Sequence, residues 1–416
     1  MSINVGIISI GDELMNGFTI DSNSSWIARK ISNYKSLVVS YKTTCKDESE
    51  HIKNKLNYLL KNNFKYIFVT GGLGPTHDDI TKHTLCDYFD CKLILDKDYY
   101  NKLKKYFKGK NIPNKKHLKS QAEILDISKP IINKYGTALG MIIELNNTII
   151  FIMPGVPKEM QGMMNNYILP KCFNKKYNKS INNLTILTTG IYESKLYGLL
   201  KNILDENSNK FKISFLPSYK GVKLRLSHID NSTNKNDLLS FKEIVLNKID
   251  KYVYGFDNDT LEEIVSKILI KKHLSISIAE SCTGGYLSKL LTDIPGSSNY
   301  FKGSVIAYSN KIKKDVLNID NSILKEYGAV SEEVALKMAV SIKNIFNTDI
   351  GISTTGISGP SGGTNQKPVG LIYISIVSDK YKIVKKFNLI QNRTAHRAIA
   401  VSVALNMLRL ALIKNN

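Results

Sequence analysis

The feature that most constrains the fold is an alternation of strand-like and helix-like segments over the first 170 residues. Apolar runs of strand length lie at 5–10, 37–41 and 66–70, and segments 24–31 and 48–60 between them have helical periodicity. Parallel strands need a crossover of this length, which is usually a helix. The pattern therefore predicts an α/β fold with a parallel sheet and helices on both faces. In such sheets, ligands bind at the carboxyl ends of the strands.

The chain has 416 residues, enough for two or three domains with substantial cores. We expect three segments: 1–170, 171–255 and 256–416. The middle segment follows an Asn- and Lys-rich connector, 177–183. It has strand patterns at 184–189, 212–216 and 222–228 and helical patterns at 193–204 and 235–251. These patterns predict a small α+β module.

The run AESCTGG at 279–285 lies between an alternating apolar segment, 274–279, and a segment with helical spacing, 284–292. Ser281 and Cys282 are therefore expected on a strand-to-helix turn. The first N–H groups of a helix have no partner within it, so we expect them to hold an anion or a developing oxyanion. The alternative is that Ser281 is only the N-cap of the helix.

A second motif, at 355–370, is rich in glycine and follows the apolar strand pattern 350–354. Its stretch Gly356–Gly363 contains four Gly and one Pro. Such a loop lets backbone amides approach a phosphate closely, although it also fits an ordinary turn. It is not a Walker A motif, because no Gly-Lys-Ser/Thr follows and Lys367 precedes Pro368.

In the first segment, polar residues follow two predicted strands. Gly11-Asp-Glu13 comes after the first, and TGGLGPTHDDIT at 70–81 comes after the third. The closely spaced glycines favour anion binding. Asp78 and Asp79 could alternatively cap the following helix.

The formal net charge of +22 does not by itself indicate nucleic-acid binding. Only five of the 58 basic residues are Arg, and nucleic-acid interfaces usually recruit Arg for bidentate contacts. A compositional bias toward Lys is the favoured explanation. The Arg residues are informative instead, since Arg393 and Arg397 are four apart on one predicted helix face; a solvated face is the alternative.

Cysteine usage and the termini bear on location. The five Cys, at positions 45, 86, 91, 172 and 282, form no Cys-x-x-Cys pair and no zinc-site spacing with His, which fits a reducing cytoplasm. The chain starts in a strand pattern, so we expect no secretion signal. The apolar stretch 395–413 is interrupted by polar residues and is predicted to be a buried amphipathic helix rather than a membrane span.

Several strings in order resemble the C-terminal domain of the CinA family: AESCTGG, PGSSNYF (295–301), IAYSNKIK (306–313), YGAVSEEVA (327–335), TTGISGPSGG, KPVG and NRTAHR (392–397). Departures are Lys302-Gly-Ser304, where the family usually has Gly-Gly-Val, and Ser358, where Ala is common. The resemblance implies hydrolysis of nicotinamide mononucleotide to nicotinic acid mononucleotide and ammonia, without a cofactor.

The resemblance also implies site residues. Ser281 is expected to be the nucleophile, with Lys313, Tyr308 and Thr355 beside it. No Ser–His–Asp arrangement is apparent, because His273 and His396 are the only His after 256; a Lys with a lowered pKa can serve as the base. Cys282 is the rival nucleophile, but its backbone N–H is the more plausible contribution. Substrate-binding residues are expected to be Cys282, Thr283, Gly284, Ser361, Gly362, Gly363, Thr364, Arg393 and Arg397.

The first segment resembles the molybdopterin-binding MoaB/MogA-like fold in the version fused to CinA domains. The strings are GDELMNG (11–17), DSNS (21–24), TGGLGPTHDDIT and MPGVPKEM (153–160). This resemblance implies divalent-metal-dependent hydrolysis of ADP-ribose and related pyrophosphates, with Mg²⁺ or a similar cation. Substrate contacts are expected from Asn23, Gly72, Gly74 and Thr76, and metal ligands from Glu13, Asp21, Asp78, Asp79 and Glu159.

The middle segment resembles the KH-like linking domain of full-length CinA proteins. It has no Gly-x-x-Gly clamp with basic neighbours, so we expect no RNA binding. Two other classes of protein remain open: a competence-related nucleic-acid-binding protein and a catalytically silent interaction protein. Small nucleotides are the expected partners, with no nucleic acid and no membrane, in a cytoplasmic homodimer.

Overall fold

A computed structural model describes residues 2–34, 36–108, 115–174, 176–177, 183–229, 235–389 and 392–414. The connector predicted at 177–183 lies almost wholly outside these residues. The chain divides into two compact units, Met1–Asn182 and Asn183–Asn416. The expected boundary at residue 170 falls inside the π-helical segment Met164–Phe173.

The first unit is built on a six-stranded mixed sheet and a separate two-stranded pair. Its strands are β1 (Ile3–Ile10), β2 (Leu37–Cys45), β3 (Tyr66–Thr70), β4 (Leu93–Leu95), β5 (Glu123–Leu125), β6 (Ser128–Ile131), β7 (Gly140–Glu144) and β8 (Ile149–Met153). The sheet order is β2-β1-β3-β8-β7-β6, and β4 pairs with β5. The strands β2, β1, β3 and β8 are parallel, as predicted.

The antiparallel edge of this sheet differs from a fully parallel arrangement. β7 and β8 are joined by a tight turn in which the Leu145 N–H donates to the Thr148 carbonyl, 2.9 Å away. A connection this short forces neighbouring strands to run antiparallel.

Helices cover both faces of the sheet, which explains why β1 is apolar on both sides. They are α1 (Asp12–Met15), α2 (Ser22–Ile31), α3 (Ser49–Lys61), α4 (Thr81–Phe89), α5 (Lys97–Phe107), α6 (Lys115–Gln121) and α7 (Pro157–Met163), which the π-helical Met164–Phe173 continues. Val5 and Ile7 belong to one core, whereas Ile8 and Ile10 belong to the other. The alternation of side chains along a strand produces this division.

The second unit begins with a four-stranded antiparallel sheet of order β10-β11-β9-β12. Its strands are β9 (Asn183–Thr188), β10 (Phe211–Ser218), β11 (Gly221–His228) and β12 (Val253–Phe256), and its helices are α8 (Glu193–Glu206) and α9 (Lys235–Ile249). This is the predicted small α+β module.

The rest of the second unit is an α/β arrangement around a five-stranded sheet of order β14-β13-β15-β16-β17. The strands are β13 (Ile276–Glu280), β14 (Phe301–Ile306), β15 (Ile350–Gly356), β16 (Leu371–Val377) and β17 (Lys382–Asn388). The helices are α10 (Leu261–Lys272), α11 (Tyr286–Thr292), α12 (Asn310–Asp315), α13 (Asn321–Tyr327), α14 (Glu332–Ile345) and α15 (Arg393–Lys414). β13 is parallel to both neighbours, and its last residue, Glu280, pairs with Ile306 and Thr354. The carboxyl ends of three strands therefore meet at one edge.

The long helix α15 lies in the core of the second unit. By length and composition it is long and apolar enough to cross a membrane, but 61% of its apolar window is buried inside the structure. Residues such as Val401, Leu405 and Leu408 belong to the same core as Ile276 and Ile278. Its first turn reaches the sheet edge described above.

Candidate active site at the carboxyl edge of the second sheet

Ser281 occupies the first position after β13 and is held by the neighbouring strand. Its N–H donates to the Thr354 carbonyl at 2.9 Å, and its side chain is mostly buried. The turn continues through Gly284 and Gly285, both with positive φ, to α11. Gly285 is the N-cap residue of α11, so Ser281 is not an N-cap. That alternative is wrong.

Lys313, on the helix that follows β14, contacts the Ser281 side chain. Its Nζ donates to the Ser281 Oγ at 3.1 Å and to the Ala307 carbonyl at 2.6 Å. Ser309 caps the short helix α12, and the Lys313 side chain is 1% exposed. Burial lowers the pKa of this lysine to about 8. Within the described residues it has no ion-pair partner, so no carboxylate counteracts the effect of burial.

Strand alternation explains why Ser281 faces Lys313. Ile276 and Ile278 point to the core shared with α11 and α15, whereas Ala279 points to the core formed with α14. Glu280 therefore points toward α11, and Ser281, one residue later, points the other way. Lys313 lies on that second face.

Glu280 is a functional candidate that sequence reasoning missed, and it corrects one expectation. Its carboxylate is fully buried and accepts from the Leu287 N–H (3.2 Å), the Ser288 N–H (2.8 Å) and the Ser288 hydroxyl (2.6 Å). The first N–H groups of α11 were expected to hold an anion from outside. Two of them are occupied by Glu280, because its side chain already provides the anion. The sequence signal that could have identified Glu280 is a charged residue at an inward-facing position of the apolar strand β13.

Cys282 and Thr283 lie in the turn with different surroundings. Burial raises the pKa of the Cys282 thiol to about 12, so the thiolate is scarce at neutral pH. The Thr283 hydroxyl is 2.7 Å from that of Thr354. The N–H groups of Cys282 and Thr283 donate to no other backbone group in the part of the chain that the structure describes. No backbone acceptor of the described residues therefore competes for these two N–H groups.

Tyr308 and Thr355 lie near the site but contact other partners. Tyr308 is 61% exposed, and its hydroxyl accepts from the Arg393 guanidinium at 3.0 Å. The buried Thr355 hydroxyl donates to the Ala329 carbonyl at 2.7 Å. Neither of these two hydroxyls is hydrogen-bonded to Ser281, whereas the Lys313 Nζ is.

The Gly-rich loop between β15 and β16 is tied down at several points. Ser361, Gly362, Gly363 and Thr364 are exposed, but the Thr364 N–H already donates to the Lys367 carbonyl at 2.8 Å. Lys367 in turn donates from its Nζ to the Tyr327 carbonyl at 2.5 Å. Of the four amides expected to cradle a phosphate, the last is therefore occupied.

His396 anchors the same loop and was not recognised as a site residue from sequence. Its Nδ1 is 2.9 Å from the Ser358 hydroxyl, and its Nε2 is 3.2 Å from the Gly370 carbonyl. A carbonyl can only accept, so Nε2 carries the proton and Nδ1 accepts from Ser358. Burial lowers the pKa of His396, which keeps it neutral.

The two arginines of α15 have distinct positions. Arg393 donates to the Gly359 carbonyl at 2.9 Å as well as to Tyr308, so its guanidinium joins two loops. Arg397 donates to the Thr283 carbonyl at 2.7 Å, and its buried Nε has no hydrogen-bond partner among the described residues. Arg397 also lines a cleft of about 430 Å³ beside the turn, together with Gly284, Gly285, Tyr286, Lys289 and Thr394.

In the first unit, the Gly-rich loop 70–81 is closed by Asp79. Its carboxylate accepts from the Gly74 N–H (2.7 Å), the Thr76 N–H (2.9 Å) and the Thr76 hydroxyl (2.6 Å). Gly72 has a φ of +64°, which favours glycine there. Neither Asp78 nor Asp79 caps α4, whose N-cap residue is Ile80.

Asn23 lies at the carboxyl edge of the first sheet. Its Nδ2 donates to the Thr70 hydroxyl (3.1 Å) and to the Gly155 carbonyl (2.7 Å). Its Oδ1 and the hydroxyls of Ser9 and Ser24 are buried without a hydrogen-bond partner in the described part of the chain. Such atoms are rare in folded proteins and suit a polar ligand or ordered water.

Three of the five expected metal ligands, Asp21, Asp78 and Glu159, contact separate partners. Asp21 accepts from the Ser24 N–H, Glu159 accepts from Asn133, and the exposed Asp78 is 2.6 Å from His77. Glu13 instead lies near Asp47, a carboxylate not predicted from sequence, whose pKa is raised by burial and then by Asp12, Glu13 and Asp79. Across the described residues, no group of three or more His, Cys, Asp or Glu is placed to hold a metal ion. The divalent cation of the first unit therefore stays a prediction.

Three family models match the chain. They are described as "CinA C-terminal domain" (residues 258–412), "Probable molybdopterin binding domain" (6–173) and "Damage-inducible protein CinA KH domain" (184–255).

Whole-length relatives are similar. A "CinA-like protein" of Flavobacterium psychrophilum is 37% identical over 98% of both chains. Another, of Cytophaga hutchinsonii, is 36% identical over 98% of this chain and 97% of the relative. Among solved structures, the competence/damage inducible protein CihA from Agrobacterium tumefaciens is 33% identical, covers 38% of this chain and 98% of its own, and has a TM-score of 0.36.

Proposed function

This chain belongs to the CinA family, and on that basis we propose that its C-terminal domain hydrolyses the amide of nicotinamide mononucleotide to nicotinic acid mononucleotide and ammonia. The observation that carries the proposal is the 3.1 Å contact between the Lys313 Nζ and the Ser281 Oγ. A buried lysine without a carboxylate partner, hydrogen-bonded to a serine at a strand end, is the arrangement of a nucleophile with its base.

The first step is attack on the amide carbon. Neutral Lys313 takes the proton of the Ser281 hydroxyl while the oxygen forms a bond to the carbonyl carbon. Since burial lowers the pKa of Lys313 to about 8, an appreciable fraction of the lysine is neutral at physiological pH. The carbonyl oxygen becomes an oxyanion, which the N–H groups of Cys282 and Thr283 can stabilise.

The second step releases ammonia. The Lys313 ammonium gives its proton to the amide nitrogen, the carbon–nitrogen bond breaks, and an ester on Ser281 remains. Water then attacks the ester with Lys313 as the base, and the proton returns to the serine oxygen as the acid product leaves. Because Ser281 and Lys313 perform both half-reactions, no cofactor is required.

The substrate phosphate is proposed to bind in the cleft beside the turn. Arg397 and Lys289 supply two positive charges there, and Gly284 and Gly285 keep its floor free of side chains. Arg393 is less suited to this role because its guanidinium already joins Gly359 and Tyr308. The amides of Ser361–Gly363 remain the alternative phosphate contact.

The decisive experiment measures ammonia release from nicotinamide mononucleotide. Ser281→Ala is expected to abolish turnover, whereas Cys282→Ser, the matched control in the same turn, is expected to retain it. Full activity of Ser281→Ala would contradict the nucleophile assignment. If free nicotinamide were hydrolysed as efficiently as its mononucleotide, the phosphate assignment would be wrong.

We propose a second activity for the N-terminal domain: binding of a pyrophosphate-containing nucleotide such as ADP-ribose. The specific support is the set of buried, unpartnered polar atoms of Ser9, Asn23 and Ser24 at the carboxyl edge of the sheet. Metal-dependent hydrolysis of this nucleotide stays a prediction, because no group of three or more His, Cys, Asp or Glu in the described residues is placed to hold a metal ion.

Calorimetric titration of the full chain with ADP-ribose, with and without Mg²⁺, tests this second activity. Asn23→Ala is expected to weaken binding. Absence of binding in the intact chain would leave the domain with a structural role.

The proposed setting is cytoplasmic salvage of pyridine nucleotides by a homodimer. The pattern of five free cysteines fits a reducing compartment. Retention of the chain on DNA at physiological salt, with nicotinamide mononucleotide left unconsumed, would favour the nucleic-acid-binding alternative instead.

A further inference from the structure

The carboxylate of Glu280 is a buried charge without a cation. Its relative exposure is 0%, and no ion pair to it is found in the described part of the chain. Burying an ionised carboxylate carries a desolvation penalty of several kcal/mol unless hydrogen bonds offset it. Here three bonds from Leu287 and Ser288, at 2.6–3.2 Å, provide that compensation. The charge also lies at the positive end of the α11 dipole.

The position of Glu280 links both ends of the turn that bears the nucleophile. Its backbone ends β13 and directly precedes Ser281, while its side chain holds the first residues of α11. Within the segment Ser281–Gly285, contacts with Thr354 and Arg397 fix Ser281 and Thr283, whereas Gly284 and Gly285 have no side chains to pack. A brace across the segment therefore limits where the Ser281 hydroxyl can lie.

We propose that Glu280 is a positioning residue that holds the Ser281 turn in register with Lys313. It also fills the N-terminus of α11, so that the oxyanion is directed to the N–H groups within the turn. Glu280 touches neither substrate nor base; it acts through Ser281. The proposal rests on the assignment of Ser281 as the nucleophile.

Loss of Glu280 is expected to affect kcat and KM differently. The cleft residues Arg397 and Lys289 bind the substrate through their own contacts, so loss of the brace leaves affinity largely intact. Misplacement of a reacting oxygen by about 1 Å lowers the chemical rate by roughly 100-fold. Removal of Glu280 is therefore expected to reduce kcat with little change in KM.

The test is Glu280→Gln in the full chain. Glutamine keeps the volume, but its amide –NH₂ group would face an N–H donor of Leu287 or Ser288 instead of accepting from it. We expect kcat for nicotinamide mononucleotide to fall about 10- to 100-fold and KM to stay within about twofold. Glu262→Gln, which removes another buried carboxylate, one that is ion-paired with Lys220, is the control and is expected to leave kcat unchanged. An unchanged kcat in Glu280→Gln overturns the proposal.

Ser288→Ala provides a second, milder test. If Glu280→Gln fails to fold, Ser288→Ala removes the 2.6 Å hydroxyl bond only, and a fall in kcat without a change in KM is still expected. If kcat and KM both match the native protein in Ser288→Ala, the proposal is wrong.

The rate at which a fluorophosphonate labels Ser281, followed by intact mass, does not depend on nicotinamide mononucleotide. Slower labelling in Glu280→Gln supports the brace even if the amide substrate has been misassigned, and equal labelling rejects it.

Discussion

The Nζ of Lys313 lies 3.1 Å from the Oγ of Ser281, although 32 positions separate the two residues in the chain. Both side chains are shielded from solvent, and the Lys313 Nζ also donates to the Ala307 carbonyl. A lysine held in this way has its basicity set by packing rather than by a partner charge.

The pH dependence of catalysis follows from this contact. The base must be neutral, and burial lowers the pKa of Lys313 to about 8. We expect kcat/KM for nicotinamide mononucleotide to rise with pH and to level off above about 8. A steady-state profile of ammonia release checks this. Lys313→Arg, which stays charged, is expected to be inactive throughout; an unchanged profile in that variant would contradict the assignment of the base.

Stability is expected to depend on pH through the same group. Burial lowers the pKa of Lys313 from 10.5 in the unfolded chain to about 8 in the folded protein, so between these values the unfolded chain binds more protons. The free energy of unfolding therefore gains a contribution that rises with pH across this window and is absent below it. Urea unfolding should show that the stability of Lys313→Met relative to the native protein decreases from pH 8 to 10.5.

Lys314→Met is the control for that measurement. Lys314 lies on the same helix but is exposed. Its relative stability should stay flat over the window, and a parallel slope in both variants would refute the role of burial.

The turn is expected to be intolerant of a side chain at Gly285. Its φ is +87°, and an added Cβ would lie 3.2 Å from the Ile306 Cδ1. Gly285→Ala should destabilise the protein by about 1–2 kcal/mol, from left-handed backbone strain, and should lower kcat by shifting Ser281. Gly198→Ala, on α8 with no atom within 4 Å of the added Cβ, should instead stabilise it by about 0.5–1 kcal/mol. The urea midpoints of the two variants, each compared with the native protein, test this prediction. Equal shifts in Gly285→Ala and Gly198→Ala would refute it.

Phosphate recognition is expected to involve Lys289. This residue lines the cleft and is ion-paired with Asp293. Lys289→Ala should raise KM for nicotinamide mononucleotide by about 5- to 10-fold, equivalent to one charged contact of about 1 kcal/mol, with little change in kcat. Asp293→Ala frees the ammonium and should lower KM.

The unphosphorylated nucleoside provides the control for this prediction. For nicotinamide riboside, Lys289→Ala should change nothing. A loss of equal size with both substrates would show that the residue supports the fold rather than binding phosphate.

The predicted elements agree with the structure where local periodicity is strong. The strand pattern at 66–70 coincides with β3, and the patterns at 5–10 and 222–228 match β1 and β11 to within two residues. Alternation and helical spacing are properties of neighbouring residues, so the sequence expresses them directly. The antiparallel edge formed by β6 and β7 begins at the tight turn between β7 and β8, which was not predicted.

The candidate site was predictable only in part. The two motifs and the family resemblance identified Ser281 and the loops around it, because turn chemistry is local. They could not single out Glu280, whose role follows from facing α11, or His396, which acts by binding a loop 26 positions away in the chain. In the first unit, Asp47 joins Asp12 across β1 and β2, a proximity that sheet order alone creates.

By itself, the sequence determined the fold class, the family and the location of the turn that bears Ser281, since these depend on local pattern and on strings of matching residues. The family resemblance already indicated Lys313, but only tertiary structure places its Nζ within hydrogen-bond distance of the Ser281 Oγ. Ser281 lies at the end of β13, and parallel pairing brings β14 and the helix that follows it alongside. That packing buries the Lys313 side chain, and burial lowers the pKa of its ammonium. Burial of one side chain is a property of the folded chain, so the spacing of residues in the sequence cannot specify it.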